Sequence, residues 1–406
     1  MTDSISFSKR GDALIGQEMF KILDRARRLE DEGFDIYHLE LGNPRLRPPK
    51  EIISTTIEAL HNLNVGYTSS AGLPKLRQAL AHRYTKLSGR DIKESNIVVS
   101  PANLLISQVL DLTCNGGDKV VLFTPAFPSY FAAAAHIGLQ VIPIPLDSSN
   151  GFTLKEREVE AAIAVKPKVI MVNSANNPTG AVYDKKVLDL LARRCNEEGI
   201  WLVSDETYAE LCYGAPFYSL ATLAYPKVIV ISSLSKIFSI PGFRIGYAIA
   251  HTQVVEKLVL SNSTLISCLP AFVQEGCVAG LQVIDQYVSG IRKHFDRVAG
   301  ECSKIINDSG ILKCSRPQAG FYIFLDISAL GLDDVSFSNK LLEERHTAVT
   351  SGRSFGEEFK NSIRIAVCGK YDDVIQGINL LILFAGDLKS NCGLIERAEE
   401  THVRKT

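Results

Sequence analysis

Between about residues 96 and 250, seven short apolar runs alternate with segments of helical pattern: NIVVS, KVVLF, QVIPI, KVIMVN, IWLVS, KVIVIS and IGYAIA. Their apolarity is continuous rather than alternating, as in strands buried on both faces, and such strands belong to a mainly parallel sheet covered by helices. The segment between the fourth and fifth runs has the texture a crossover requires. In it Leu188, Leu191, Ala192 and Cys195 follow the i, i+3, i+4, i+7 spacing of an amphipathic helix. The predicted fold class is therefore α/β, with a mainly parallel seven-strand sheet covered by helices.

Past about residue 285 the texture changes. A long charged helical stretch, VIDQYVSGIRKHFDRVAGECSKII, precedes two strand-like runs, GFYIFLDI and SIRIAVC, separated by another helix. This reads as a smaller α+β unit. The first 47 residues hold one helical pattern and the strand-like YHLEL, too little for a domain. The expected division is thus 1–47 joining the small unit, 48–285 as the large unit, 286–390 as the small C-terminal unit, and 391–406 as a polar tail.

Lys+Arg of 44 against Asp+Glu of 45 leaves a formal charge of −1, with no basic stripe to suit nucleic acid. The N-terminus lacks an apolar signal core and no stretch is long enough to cross a bilayer, so a cytoplasmic protein without a membrane partner is expected. Nine cysteines form no CxxC pair and read as small core residues rather than disulfides or metal ligands.

In an open α/β sheet, ligands bind outside the carboxyl ends of the strands. Just after four of the apolar runs stand TPAFPSY, NSANNPTG, DETY and SSLSK. In the last of these Lys236 stands eight residues before Arg244, the two lone cations of a run otherwise made of small, hydroxylic and apolar residues. Lysine is the side chain whose pKa shifts readily enough for imine chemistry. Asp205 can pair with a protonated ring nitrogen, Tyr208 and Asn177 can donate to a phenolate-type oxygen, and Ser233 with Arg244 can hold a phosphate. Read singly, these residues have plainer roles: Asp205 as a helix cap, Asn177 as a turn residue, Phe127 as core. It is their combination that favours a site for a phosphorylated aromatic cofactor.

The constellation resembles the fold-type I pyridoxal-phosphate enzymes, specifically the class I/II aminotransferases of the aspartate aminotransferase family. The resemblance runs from LELGNP to SIRIAV and lies in the order NNPTG, D-x-x-Y, S-x-x-K, then an arginine eight residues on. It implies that Lys236 forms the Schiff base with pyridoxal 5′-phosphate and shuttles the proton between the substrate α-carbon and C4′. By the same resemblance Asp205 faces the pyridine nitrogen, Asn177 and Tyr208 the 3′-oxygen, and Phe127 stacks on the ring. Ser233 and Arg244 hold the phosphate, with Ala102 and Asn103 at a helix N-terminus beside it. Arg364 clamps the substrate α-carboxylate, Gly42 lies in a loop over the substrate, and Tyr67 reaches the cofactor of a neighbouring subunit, which implies a homodimer with shared sites. Asn173 is expected to support these groups from behind.

The implied reaction is amino transfer between an L-α-amino acid and a 2-oxo acid. Two departures from the family pattern keep a pyridoxal-phosphate lyase or cyclase as the runner-up. One is SPAN, with Ala102 where a glycine is usual; the other is GNPRLRPP, where Arg45 and Arg47 replace an acidic-aromatic pair and can reshape the substrate mouth. A cofactor-sensing regulator is not expected, because about 47 residues leave no room for a DNA-binding domain ahead of the large unit. A dinucleotide-binding protein is weaker still, since no strand is followed by GxGxxG.

Overall fold

The computed structural model describes residues 5–62 and 65–403, with side chains to residue 390. A two-residue strand, β1 (Tyr37–His38), comes first and belongs to no large sheet. The seven apolar runs then become β2 (Ile97–Ser100), β3 (Lys119–Thr124), β4 (Gln140–Pro145), β5 (Val169–Asn173), β6 (Trp201–Asp205), β7 (Val228–Ser233) and β8 (Gly246–Ile249). They form one sheet in the order β2-β8-β7-β6-β5-β3-β4. All its pairings are parallel except those of β8, which runs antiparallel to both β7 and β2.

The continuous apolarity is explained by where successive side chains go. Along β5, Val169 and Met171 enter one core cluster and Ile170 and Val172 the other, so helices cover both faces of the sheet. Helix Lys185–Glu198 is the crossover between β5 and β6, and its buried residues are Leu188, Leu191, Ala192 and Cys195. Asp184 caps its start by accepting from Lys186 N, and Gly199 ends it with a left-handed φ of 66°.

The later strands are β9 (Lys313–Cys314), β10 (Tyr322–Asp326), β11 (Thr347–Ala348), β12 (Thr350–Ser351) and β13 (Ser362–Ala366). Four of them form a sheet in the order β12-β13-β10-β9, and β1 pairs with β11 in parallel. The N-terminal segment is therefore tied to the C-terminal unit through β11. It also reaches the helix that follows β3, Pro128–Ile137: Gln17 Nε2 donates to Ser129 Oγ at 3.0 Å. The charged stretch is one helix, Ile284–Asp308, which crosses the expected division at 285. Helix Tyr371–Val403 likewise carries the backbone past 391, where a tail was expected, while 404–406 lie outside the described residues. The eight described cysteines are all free thiols, six of them buried, and Cys392 lies beyond the described side chains. Among the described residues no helix is long and apolar enough to cross a membrane.

Candidate active site

The carboxyl ends of β2, β3, β5, β6 and β7 share one edge of the large sheet. Because β8 is antiparallel, its first residue, Gly246, sits opposite Ser100 and Ser233 at that same edge. The loop leading into β8 thus brings Arg244 beside the loop leaving β7, which carries Lys236. This edge borders a cavity of about 480 Å³, into which β10 and β13 of the other sheet also contribute Tyr322 and Arg364.

Lys236 lies in the short helix Leu234–Ile237, started by Ser233, whose Oγ accepts from Ser235 N at 3.1 Å. Its Nζ, half-buried, donates to the Gly42 carbonyl at 2.5 Å. Burial lowers its pKa to about 8; the nearby Arg364 and Arg244 cations push the same way, and the Cys368 thiol pushes against them. The amine is therefore neutral in a good fraction of molecules near physiological pH. Gly42 also lies under Tyr322: a Cβ there would fall 1.8 Å from the tyrosine oxygen and 2.7 Å from Cζ, so this position admits only glycine.

Asp205, the last residue of β6, is buried, and burial raises its pKa. Two donors oppose that shift: Tyr130 OH at 2.7 Å and Thr207 N at 3.0 Å. Asn173, at the end of the adjacent β5, donates from Nδ2 to the Asp205 carbonyl at 2.9 Å and accepts from Asn177 N at 2.8 Å. It thus ties the NNPTG turn to the β6 end, the supporting part expected of it. Tyr208 donates its O–H to Tyr322 OH at 3.0 Å, and burial holds its phenol well above the ordinary value.

Arg364 on β13 is completely buried. Its Nη1 donates to Asn177 Oδ1 at 3.1 Å and Nη2 to Thr350 Oγ1 at 3.2 Å, with a further bond from Nη2 to the Glu40 carbonyl. The Tyr322 and Phe355 rings lie 4.4 and 5.0 Å from its Cζ. All these partners are neutral, Nε has none, and burial lowers the pKa of the group. The Glu40 carboxyl acts on it only at longer range, without an ion pair, so the guanidinium can take an anionic ligand.

At the other end, Arg244 is exposed, adopts a left-handed φ of 54°, and donates from Nη1 to the Pro241 carbonyl at 2.9 Å. Ser233 Oγ donates to the Ile245 carbonyl at 3.1 Å. Helix Ala102–Thr113 begins at the cavity with Ala102 and Asn103, so alanine does not move this N-terminus away from it. Phe127 is half-buried, edge-on to Tyr130 at 5.7 Å between centroids.

The cavity gathers every candidate residue except Tyr67, which is 92% exposed and lies outside it. Arg45 and Arg47 are also exposed and do not line it, although Gly42 and Asn43 of the same segment do. Several residues join the site without having been singled out. Ser235 stands within the SSLSK motif, but Tyr130 and Tyr322 sit in apolar runs and look like core. Gln17, Met19 and Phe20 come from a segment with no chemical signal of its own.

The donor set fits pyridoxal phosphate on structural grounds. A poised amine, a buried carboxyl and an exposed arginine line one cavity, and a buried guanidinium with an unpartnered Nε faces them. Such an arrangement can capture a carbonyl at Lys236, pair a ring nitrogen with Asp205, hold a phosphate at Arg244 and a carboxylate at Arg364.

Comparison with known proteins agrees. Residues 35–378 match the family described as aminotransferase class I and II. An aspartate aminotransferase from Musicola paradisiaca is 30% identical over 89% of this chain and 92% of its own length. An arginine–pyruvate transaminase from Pseudomonas aeruginosa is 27% identical over 92% of this chain and 96% of its own. The solved structure of Thermus thermophilus aspartate aminotransferase with maleate superimposes with a TM-score of 0.89 at 26% identity, covering 94% of this chain and 100% of that one.

Proposed function

The chain belongs to the aminotransferase class I and II family and is a pyridoxal-phosphate-dependent transaminase, and from that premise we propose how its own residues divide the work. Bound pyridoxal phosphate supplies the carbonyl that captures the substrate amino group and an electron sink for the bond broken at the α-carbon. Lys236 would hold the cofactor, and its free Nζ would take the proton from the substrate α-carbon. Asp205, whose carboxyl accepts from Tyr130 and Thr207, would face the ring nitrogen. Arg364 and Asn177 orient the α-carboxylate so that the Cα–H bond points at Lys236. Arg244, Ser233 and the helix start at Ala102 and Asn103 hold the phosphate. Phe127 packs on the ring.

The observation that carries this reading is the state of Lys236. Its amine has no carboxylate partner among the described residues, donates to the Gly42 carbonyl at 2.5 Å, and has its pKa lowered to about 8 by burial. A structural lysine would be paired or solvated.

We further propose a homodimer that completes the site with Tyr67, and a cytoplasmic location. Support for the dimer comes from exposed apolar side chains on two segments joined by the Thr68–Leu269 and Asn262–Ser70 hydrogen bonds: Val65 is 62% exposed, Leu260 60% and Leu265 58%. The division into a 48–285 unit and a 286–390 unit is kept as part of the same proposal.

The test is a visible spectrum of the holoenzyme, with L-amino acids added and no 2-oxo acid. One equivalent of 2-oxo acid per bound cofactor, with loss of the absorption band, is the expected result. Repeated turnover that releases a leaving group or a cyclised product would favour the lyase or cyclase instead. Lys236→Ala is expected to abolish turnover while retaining some cofactor bound noncovalently.

A further inference from the structure

We propose that Glu40 and His38 are positioning residues for the carboxylate clamp: with Glu30 they form a row of alternating charges, Glu30, His38, Glu40 and Arg364, whose fifth member is the substrate α-carboxylate. The inference rests on the α-carboxylate role given to Arg364 above.

His38 Nε2 lies 3.2 Å from Glu30 Oε1, and Nδ1 lies 2.9 Å from Glu40 Oε1. A carboxylate oxygen only accepts, so an imidazole set between two carboxylates carries a proton on each nitrogen and is a cation. The bond to Glu40 raises the His38 pKa above its ordinary 6.5; burial opposes the shift and Glu30 adds to it. Glu40 is completely buried and touches Arg364 with its main chain, not its carboxyl. Its carbonyl accepts from Nη2 and also from Thr350 Oγ1 at 2.8 Å, while Oε1 meets His38 and Oε2 has no partner. Burial lowers the Arg364 pKa, and Glu40 is among the groups that oppose it. A carboxyl bonded to the guanidinium would compete with the substrate for the same N–H groups. Held by His38 instead, it lends its charge and leaves the guanidinium free. All four residues belong to one chain, and the surface of Glu40 is already fully covered, so no second subunit reaches it.

The strand that carries the row is fixed on both sides. Leu39 N donates to the Ala348 carbonyl at 3.0 Å, and the Leu39 carbonyl accepts from Ala366 N at 2.7 Å. Gly377 of helix Tyr371–Val403 packs on Tyr37 and Leu39, so His38 and Glu40, which alternate with them, face the other way. There helix Glu18–Asp31 supplies Glu30. Among the described residues, the other elements packed on this strand bring no further charge to His38. β11 offers Thr347 and Ala348, and the His346 ring just before it stacks on Phe34 at 4.7 Å. The buried face of helix Tyr371–Val403 carries Val374, Gly377, Ile378 and Leu381.

With His38 protonated, its pair with Glu40 is neutral and a carboxylate meets the full charge of Arg364. Once pH rises past the His38 pKa, Glu40 stands as an uncompensated anion and repels the ligand. Carboxylate affinity therefore falls with rising pH in a window above 6.5, and by reciprocity a bound carboxylate raises the His38 pKa.

The experiment measures the dissociation constant of propionate for the holoenzyme at pH 6 and pH 9, read from the visible band, in the parent and two variants. Glu40→Gln should match the parent at pH 6 and bind roughly 3–10-fold more tightly at pH 9. His38→Gln should match the parent at pH 9 and bind roughly 3–10-fold more weakly at pH 6. These opposite effects distinguish charge from structure, since a merely structural role would weaken binding in both variants. A second measurement, the histidine ring resonances of the parent, should show the His38 pKa above 6.5 and raised further by saturating propionate; it decides the matter if Glu40→Gln does not fold. Equal weakening in both variants, affinities unchanged in both, or a His38 pKa insensitive to propionate would overturn the inference and leave Arg364 as the clamp. Propionate binding to Arg364→Met as tightly as to the parent would overturn the clamp itself.

Discussion

Replacing Arg364 with methionine separates a structural from a substrate-binding role, because the two predict different outcomes for stability. The guanidinium is completely buried, bonds only to neutral acceptors, and leaves Nε unpartnered. The carboxyl of Glu40 forms no ion pair with it, being engaged with His38 Nδ1 at 2.9 Å, and offsets its charge only at longer range. Taking an ion out of water costs several kcal/mol unless an opposite charge repays it, and methionine removes that cost while filling most of the volume. Against this, Asn177 Oδ1, Thr350 Oγ1 and the Glu40 carbonyl each lose a donor, about 1 kcal/mol apiece, and the ring contacts contribute about 0.5–2 kcal/mol more. The terms nearly cancel, so the cofactor-free variant is expected to unfold within a few degrees of the parent or above it. Substrate binding has no such compensation. Loss of a buried charge pair with the α-carboxylate costs roughly 3–5 kcal/mol, or about 10²–10⁴ in kcat/KM. The assays are steady-state kinetics on the holoenzyme and the thermal midpoint of the cofactor-free protein. A midpoint lowered by more than about 10 °C, or kcat/KM within tenfold of the parent, would refute the assignment.

With the Lys236 pKa lowered to about 8, capture of pyridoxal phosphate by the cofactor-free protein should speed up roughly tenfold per pH unit below pH 8 and level off above it. A rate still climbing at pH 10 would place the amine at its ordinary value. Gly42→Ala forces Tyr322 off Tyr208 and away from Arg364, and kcat/KM should fall roughly 100-fold. Adding Tyr322→Ala should then cost little more, and simple additivity of the two losses would contradict the clash. Burial pushes the Glu206 carboxyl up to about 7, although Ser219 Oγ at 2.6 Å and Leu220 N at 2.8 Å donate to it. Between its unfolded value of 4.5 and about 7, the folded state holds a proton that the unfolded state has lost, so this group makes stability fall as pH rises through that window. Glu206→Gln should reduce that fall by roughly 3 kcal/mol, seen as a flatter dependence of the thermal midpoint on pH; an unchanged slope would mean the carboxyl is not perturbed.

The α/β class and the seven strands were legible because strands covered on both faces must be apolar at consecutive positions, a local signal. Lys236, Asp205, Asn177 and Arg244 were legible for a related reason. Polar residues standing just past apolar strands have no packing role to explain them, and their spacing along the chain matches the separation of strand ends. Arg364 stood out as a charge inside an apolar strand.

Other features depended on which segments meet. The composition of β8 does not distinguish an antiparallel strand from its parallel neighbours, yet its direction is what puts Arg244 beside Lys236. Tyr130 and Tyr322 read as core until the tertiary structure aims their hydroxyls at Asp205 and at Tyr208 above Gly42. Met19 and Phe20 become part of the cavity wall only because β1 pairs with β11, more than 300 residues away, and brings the N-terminal segment along. By itself the sequence determined the layered fold and the cofactor-facing chemistry, which arise from burial and from strand ends. The surface that meets the substrate side chain was decided by contacts between distant segments, because an apolar residue looks the same in sequence whether it packs against protein or against a ligand.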